Sequence, residues 1–154
     1  MRVALAVSGI LLAGCTPPAM PVQPAPLTIP ANRSVHDATQ RAANSLVVDG
    51  FDIATSDVNG GIVSARRVRS DSGNAGFVTC FYKQRSMAGA SLRSALTITL
   101  AVKPSDSGSV ATVTSRVLAE YPTLTGMLAR QPNETDCASS GLAESHIAAA
   151  LRSP

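Results

Sequence analysis

The residue types able to do chemistry are few in this chain and widely spaced. There are three cysteines, Cys15, Cys80 and Cys137, and two histidines, His36 and His146. Nucleophilic catalysis needs a serine or cysteine beside a histidine that an acid orients, and no local run supplies that set. No G-x-S-x-G elbow occurs, and the glycine-bearing turns match neither a P-loop nor a dinucleotide fingerprint. Acidic residues occur singly, so spacing nominates no glycosidase-like carboxylate pair. Cys80 and Cys137, with the two histidines far away in sequence, lack the short intervals of a metal-ligand set. The sequence therefore nominates no catalytic residue, no metal site and no cofactor.

Arg66-Arg67-Val68-Arg69 is the one charge cluster. Arginines so placed suit anionic lipid headgroups, lipopolysaccharide phosphates or an acidic partner. Neighbours on a strand point to opposite faces, however, so Arg66, Arg67 and Arg69 make one tight patch only where a strand end twists out. A solvated strand end is the plainer expectation. Met87-Ala88-Gly89-Ala90 is a small apolar loop, and a lone exposed methionine needs no functional reading.

The elements that must position these residues follow from periodicity. Hydrophobic residues make up 45% of the 154, but aromatics only 3%, so a core has to be built from Val, Ile, Leu and Ala. Ser34 caps a helix with Asp37 three residues on, and Val35, Ala38, Ala42 and Leu46 form its apolar stripe. His36 falls in its first turn, where it is solvated. Asp49-Gly50 stops it, with glycine where a left-handed cap is wanted. Phe51, Ile53 and Thr55 then alternate as in a half-buried strand, and Asp57-Val58-Asn59-Gly60-Gly61 turns into a second strand over 62–68. Residues 77–83 make a third strand carrying Cys80, after a polar loop over 69–76. Residues 84–91 form a flexible connection.

Leu96, Ile98, Leu100 and Val102 alternate most cleanly, and Pro104-Ser105-Asp106-Ser107-Gly108 turns that strand back into residues 110–117 as an antiparallel hairpin. Residues 118–136 read as irregular, with one short helical turn over 124–130. Ser139 or Ser140 starts a last helix whose apolar side holds Leu142, His146, Ile147, Ala150 and Leu151. His146 is thereby expected to be a core or rim histidine with one hydrogen bond. The order helix, about five mostly antiparallel strands, helix predicts an α+β two-layer sandwich with the N-terminal and C-terminal helices on one face.

The N-terminus says where the chain lives. Met1-Arg2 is a basic start, and residues 3–12 are apolar over a signal-peptide length, half of what a transmembrane helix needs. Leu12-Ala13-Gly14-Cys15 then resembles the lipobox of bacterial lipoproteins. The resemblance implies that the Cys15 thiol carries diacylglycerol, that the chain is cut before it, and that the new amine is acylated as well, with palmitate-type chains. Two or three acyl chains make a stable anchor where one is marginal. Thr16, where Asp would favour inner-membrane retention, implies an outer-membrane location facing the periplasm. The piece from Cys137 to Glu144, Cys-Ala-Ser-Ser-Gly-Leu-Ala-Glu, is similar to a run near the C-terminus of small bacterial lipoproteins of uncharacterised function. More loosely, a helix followed by a strand–Gly-turn–strand resembles lipoprotein modules accessory to outer-membrane assembly machinery.

Export decides the remaining cysteines. In an oxidising compartment, Cys80 and Cys137 are expected to form a disulfide. The expected organisation is a signal peptide over 1–14, the lipidated cysteine and a Pro-rich tether over 15–31, and one α+β domain over 32–154. Residues 16–31 hold six of the ten prolines, which favour polyproline II and a reach of roughly 50 Å. The formal charge of +3 includes Arg2; without it 12 basic residues face 10 acidic ones, +2, too little to argue for nucleic acid. The expected function is that of a non-catalytic binding or assembly-accessory module, membrane-bound through its lipid and facing another envelope protein or glycan. The alternative is a periplasmic carrier of a lipid or small apolar ligand.

Overall fold

A computed structural model describes residues 22–70, 74, 76–80, 93–120 and 137–153. Cys15, the leader, the Met87 loop and the turn expected over 124–130 lie outside the described residues. The elements are β1 (Leu27–Ala31), α1 (Val35–Val48), β2 (Asp52–Asp57), β3 (Ile62–Ser70), β4 (Val78–Cys80), β5 (Arg93–Ser105), β6 (Gly108–Glu120), β7 (Cys137–Ser139) and α2 (Leu142–Arg152). Five strands form an antiparallel sheet in the order β1-β6-β5-β3-β2, and β4 pairs with β7 in a separate two-stranded sheet. The expected α+β fold is present, with α1 and α2 packed on the sheet.

Local chemistry accounts for each element. Ser34 is the N-cap of α1, its Oγ accepting the Asp37 N–H at 3.2 Å, as the capping pattern predicts. The stripe of α1 is Ala38, Ala42 and Leu46, all fully buried. The small alanines let the helix lie close to β5 and β3. Alternation puts Leu96, Ile98, Leu100 and Val102 of β5 on the same face as Val63 and Ala65 of β3 and Val113 and Val117 of β6, and all of these are buried. The β5–β6 hairpin is tighter than its composition suggests. Ser105 pairs with Gly108, so Asp106 and Ser107 alone make the turn and Pro104 belongs to the strand. The β2–β3 turn closes through the Asp57 carboxylate, which accepts the Gly60 N–H at 2.8 Å.

Three expectations need correction. The tether does not run to residue 31, because Leu27–Ala31 is an edge strand on β6, with Ile29 and Ala31 in the core. An edge strand bonds on one side, so Pro30 is tolerated where a central strand would exclude it. The expected third strand is present as β4 over Val78–Cys80 but lies outside the main sheet, paired with the unanticipated β7; residues 81–83 lie outside the described residues. The buried side of α2 is Ala143, Glu144, Ile147, Ala148 and Leu151, while His146 is exposed. Small Ala143 and Ala148 bring α2 against α1, and that rotates the stripe away from Leu142, His146 and Ala150.

Candidate functional site

The densest polar cluster forms where the C-terminus of α1, the end of β3, the start of β4 and the first turns of α2 converge. Asp49 is the C-cap of α1, its N–H donating to the Ser45 carbonyl, and Gly50, whose N–H donates to the Val47 carbonyl, follows with φ +76°. Arg67 extends from the helix-facing side of β3, two residues after Ala65. Phe77 is fixed by its N–H to the Asn74 carbonyl at 2.9 Å and by its own carbonyl, which accepts the Ser140 N–H at 3.0 Å. His146 comes from α2.

Arg67 is the hub. Its Nη1 donates to the Asp49 carbonyl, its Nε donates to Asn74 Oδ1 at 3.1 Å, and its guanidinium carbon lies 4.6 Å from the centre of the Phe77 ring. Asn74 is buried and donates to the carbonyl of Ser94 at 2.9 Å and to its hydroxyl at 2.6 Å. Burial pulls the Arg67 guanidinium below its ordinary value, neighbouring Arg69 adds to that, and Asp49 opposes it. Arg69 Nη2 reaches the Gly50 carbonyl at 3.5 Å. Arg67 and Arg69 thus supply cations and donors to the carbonyl end of α1, which its own last turn, holding no basic residue, lacks.

His146 Nδ1 lies 2.9 and 3.0 Å from the two Asp49 carboxylate oxygens, and its ring meets Phe77 edge-on at 6.3 Å between centroids. An aspartate holding Nδ1 leaves Nε2 as the free edge of the ring, the arrangement of a general base. Among the described residues, no hydroxyl or thiol is hydrogen-bonded to this histidine. His36, as expected, is exposed, with Nδ1 3.1 Å from Asn59 Oδ1. Among the described residues no three of His, Cys, Asp and Glu gather to hold a metal ion.

The structure divides the arginine cluster between the two sheet faces. Arg67 and Arg69 share the helix-bearing side of β3, whereas exposed Arg66 stands on the other, opposite Thr97 of β5 and Asp52 of β2. Cys80 and Cys137 form the disulfide and are direct cross-strand partners in the β4–β7 pair, so the bond pins the lead-in of α2. The run from Cys137 to Glu144 has a structural account residue by residue. Ser139 Oγ donates to the buried Glu144 carboxylate at 2.8 Å and accepts the Gly141 N–H at 3.2 Å. Ser140 Oγ donates to the Gly76 carbonyl and accepts the Leu142 N–H, and Gly141 takes φ +86° as the N-cap of α2. Glu144 sits in the first turn, where the helix dipole favours a carboxylate.

Sequence reasoning missed Asn74, Asp49 and Phe77 as participants. Asp49 reads as a helix stop and Phe77 as a strand residue, and no spacing links either to His146. No helix of the described residues is long and apolar enough to cross a membrane.

No family model matches the chain, and no curated protein matches it. Among solved structures, the chain is similar to a DUF4468 family protein from Bacteroides ovatus, with a TM-score of 0.39 and 12% identity over 84% of this chain and 85% of that one.

Proposed function

We propose that the chain is an envelope lipoprotein, held in the membrane through Cys15, whose α+β domain binds another envelope component without catalysing a reaction. The observation that supports this reading is the engagement of the reactive side chains by the fold itself. Arg67 and Arg69 serve the end of α1, Asp49 and His146 join the two helices, and Ser139 and Glu144 build the entry to α2. Groups so engaged hold a shape, and a shape of this size on a lipid anchor suits recognition of a protein or glycan. A carrier would have to open the helix–sheet interface, where Ala38, Ala42, Leu46, Ile98 and Leu100 are fully buried against one another's elements.

The experiment is crosslinking in native membranes followed by capture, combined with the mass of the mature N-terminal peptide. A peptide beginning at acylated Cys15, together with a stoichiometric envelope partner, is the expected result. An unmodified Cys15 sinks the anchor, and release of a bound lipid in native mass spectrometry in place of a partner sinks the binding module in favour of the carrier.

A further inference from the structure

Asn59 is the one asparagine of the chain that a glycine follows. The pair lies in the turn between β2 and β3, and both residues are exposed. Asparagine is thermolabile because the backbone nitrogen that follows it can attack its side-chain amide. Glycine leaves that nitrogen without a side chain beside it, and a turn outside helix and strand leaves the backbone freest to adjust. Asn32 and Asn44 are exposed as well, but Arg33 and Ser45 follow them, and Asn44 lies inside α1. Asn74 is buried and donates to Ser94.

The turn also holds the proton of the attacking nitrogen. Gly60 N–H donates to Asp57 Oδ1 at 2.8 Å. A methyl on Gly60 would run into that carboxylate, so glycine is what lets Asp57 close on it so tightly. The nucleophile is the nitrogen stripped of this proton, and an anion forming beside a carboxylate meets like-charge repulsion. Asp57 therefore works against the reaction that the Asn59–Gly60 pair invites. On the other side, Asn59 Oδ1 lies 3.1 Å from Nδ1 of exposed His36, in the first turn of α1.

We propose that Asn59 is a deamidation site whose rate Asp57 holds down. The Gly60 nitrogen gives its proton to solvent and bonds to Asn59 Cγ. The bond from Cγ to the side-chain nitrogen breaks, and that nitrogen takes a proton from solvent and leaves as ammonia. Water then opens the five-membered imide at either carbonyl, giving aspartate or isoaspartate at position 59. Either product adds one negative charge close to Asp57 and sets a carboxylate against the His36 ring. Isoaspartate also lengthens the backbone of a hairpin in which Asp57 is paired with Ile62. The β2–β3 turn thus carries a slow covalent change that speeds up wherever Asp57 lets go.

The test follows the full chain at neutral pH by peptide mass spectrometry, which reads a gain of one mass unit at Asn59. Chromatography separates aspartate from isoaspartate. The parent protein and Asp57→Ala are incubated both folded and in urea. Loss of a hydrogen bond to a charged acceptor should make folded Asp57→Ala convert roughly tenfold faster than the folded parent, with the two chains alike in urea. Asp57→Asn keeps an acceptor oxygen for the turn and loses the charge, so its folded rate should fall between the two; it carries the test if Asp57→Ala does not fold. Asn32 and Asn44 are the internal references and should keep their amides over the same period. An Asn59 that keeps its amide in the urea-unfolded parent overturns the site. A folded-state rate no faster in the Asp57 variants than in the parent overturns the restraint, and with it the proposal.

Discussion

His146 and Asp49 are 97 positions apart in sequence, and His146 Nδ1 lies 2.9 Å from an Asp49 carboxylate oxygen, tying α2 to the cap of α1. The two ends of this bond are unequal: the Asp49 side chain is 11% exposed and that of His146 is 44%. Asp49 also offsets the half-buried Arg67 guanidinium. His146→Ala should lower stability by about 0.5–1 kcal/mol, a partly exposed bond. Asp49→Ala should cost more, about 1–3 kcal/mol, because it leaves Arg67 without that counter-charge. Denaturant midpoints of the two variants decide it, and a larger loss for His146→Ala than for Asp49→Ala would overturn the ordering.

The disulfide between Cys80 and Cys137 closes a segment with a sequence separation of 57. On the chain-entropy account, a loop of that length contributes about 4 kcal/mol through the unfolded state. The double Cys80→Ser, Cys137→Ser variant should lose roughly that amount, with the β4–β7 pair and the lead-in of α2 opening first. Amide exchange at Val78 and Ser139 checks the location. A loss below about 1 kcal/mol would show that the strand pair holds without the bond.

Most of the main sheet and α1 was legible because burial there is one-sided and the periodicity is clean. Leu96 to Val102 alternate, and Ser34, Asp37 and Gly50 punctuate α1 as local capping chemistry requires. What was not legible depends on long-range registration. Pro30 argues against a strand unless an edge position is known, and only pairing with β6 shows the edge. The α2 stripe was misplaced because the burial of Glu144 depends on Ser139, a contact that hydrophobicity does not encode. The site itself was illegible for the same reason: Asp49, Arg67, Asn74, Phe77 and His146 come from four segments, the end of α1, β3, the lead-in to β4 and α2. The pairing of Cys80 with Cys137 was readable, since with Cys15 expected to carry lipid two thiols remained and there was one way to join them.

Asp37 links the first turn of α1 to Arg33 and Arg41, at 3.0 and 3.3 Å. The hydrogen bond from Arg33, with further help from Arg41, holds its carboxyl below the ordinary value of 3.8 against the opposing effect of burial. A carboxylate depressed in the folded state contributes stability that is present above the unfolded pKa and is lost as pH falls through the folded one. Asp37→Asn should therefore melt below the parent protein at pH 7, with the difference shrinking below pH 4 and fading as pH falls further. A difference that stays constant between pH 7 and pH 2 would assign the effect to helix geometry alone.

Adjacent positions at the start of β6 should respond with opposite sign. Ser109 is 1% exposed on the helix-facing side, and its Oγ has no hydrogen-bond partner among the described residues. A buried hydroxyl without a partner costs roughly 1–3 kcal/mol in protein interiors, so Ser109→Ala removes a penalty and should stabilise the domain by about 0.5–1.5 kcal/mol. Gly108, one residue earlier, takes φ +127°, and a methyl there would lie 2.6 Å from the Ala31 carbonyl oxygen and 2.8 Å from the Arg33 nitrogen. Neither neighbour is a side chain that can swing aside, because both belong to the backbone leading from β1 into α1. Gly108→Ala should therefore destabilise by about 1–3 kcal/mol and loosen the β1 edge along with the hairpin. Thermal melts of the two single variants suffice. Stabilisation by Gly108→Ala would mean that the hairpin end and the β1 edge are not in close contact in solution, while a loss for Ser109→Ala would mean that the hydroxyl has a partner there.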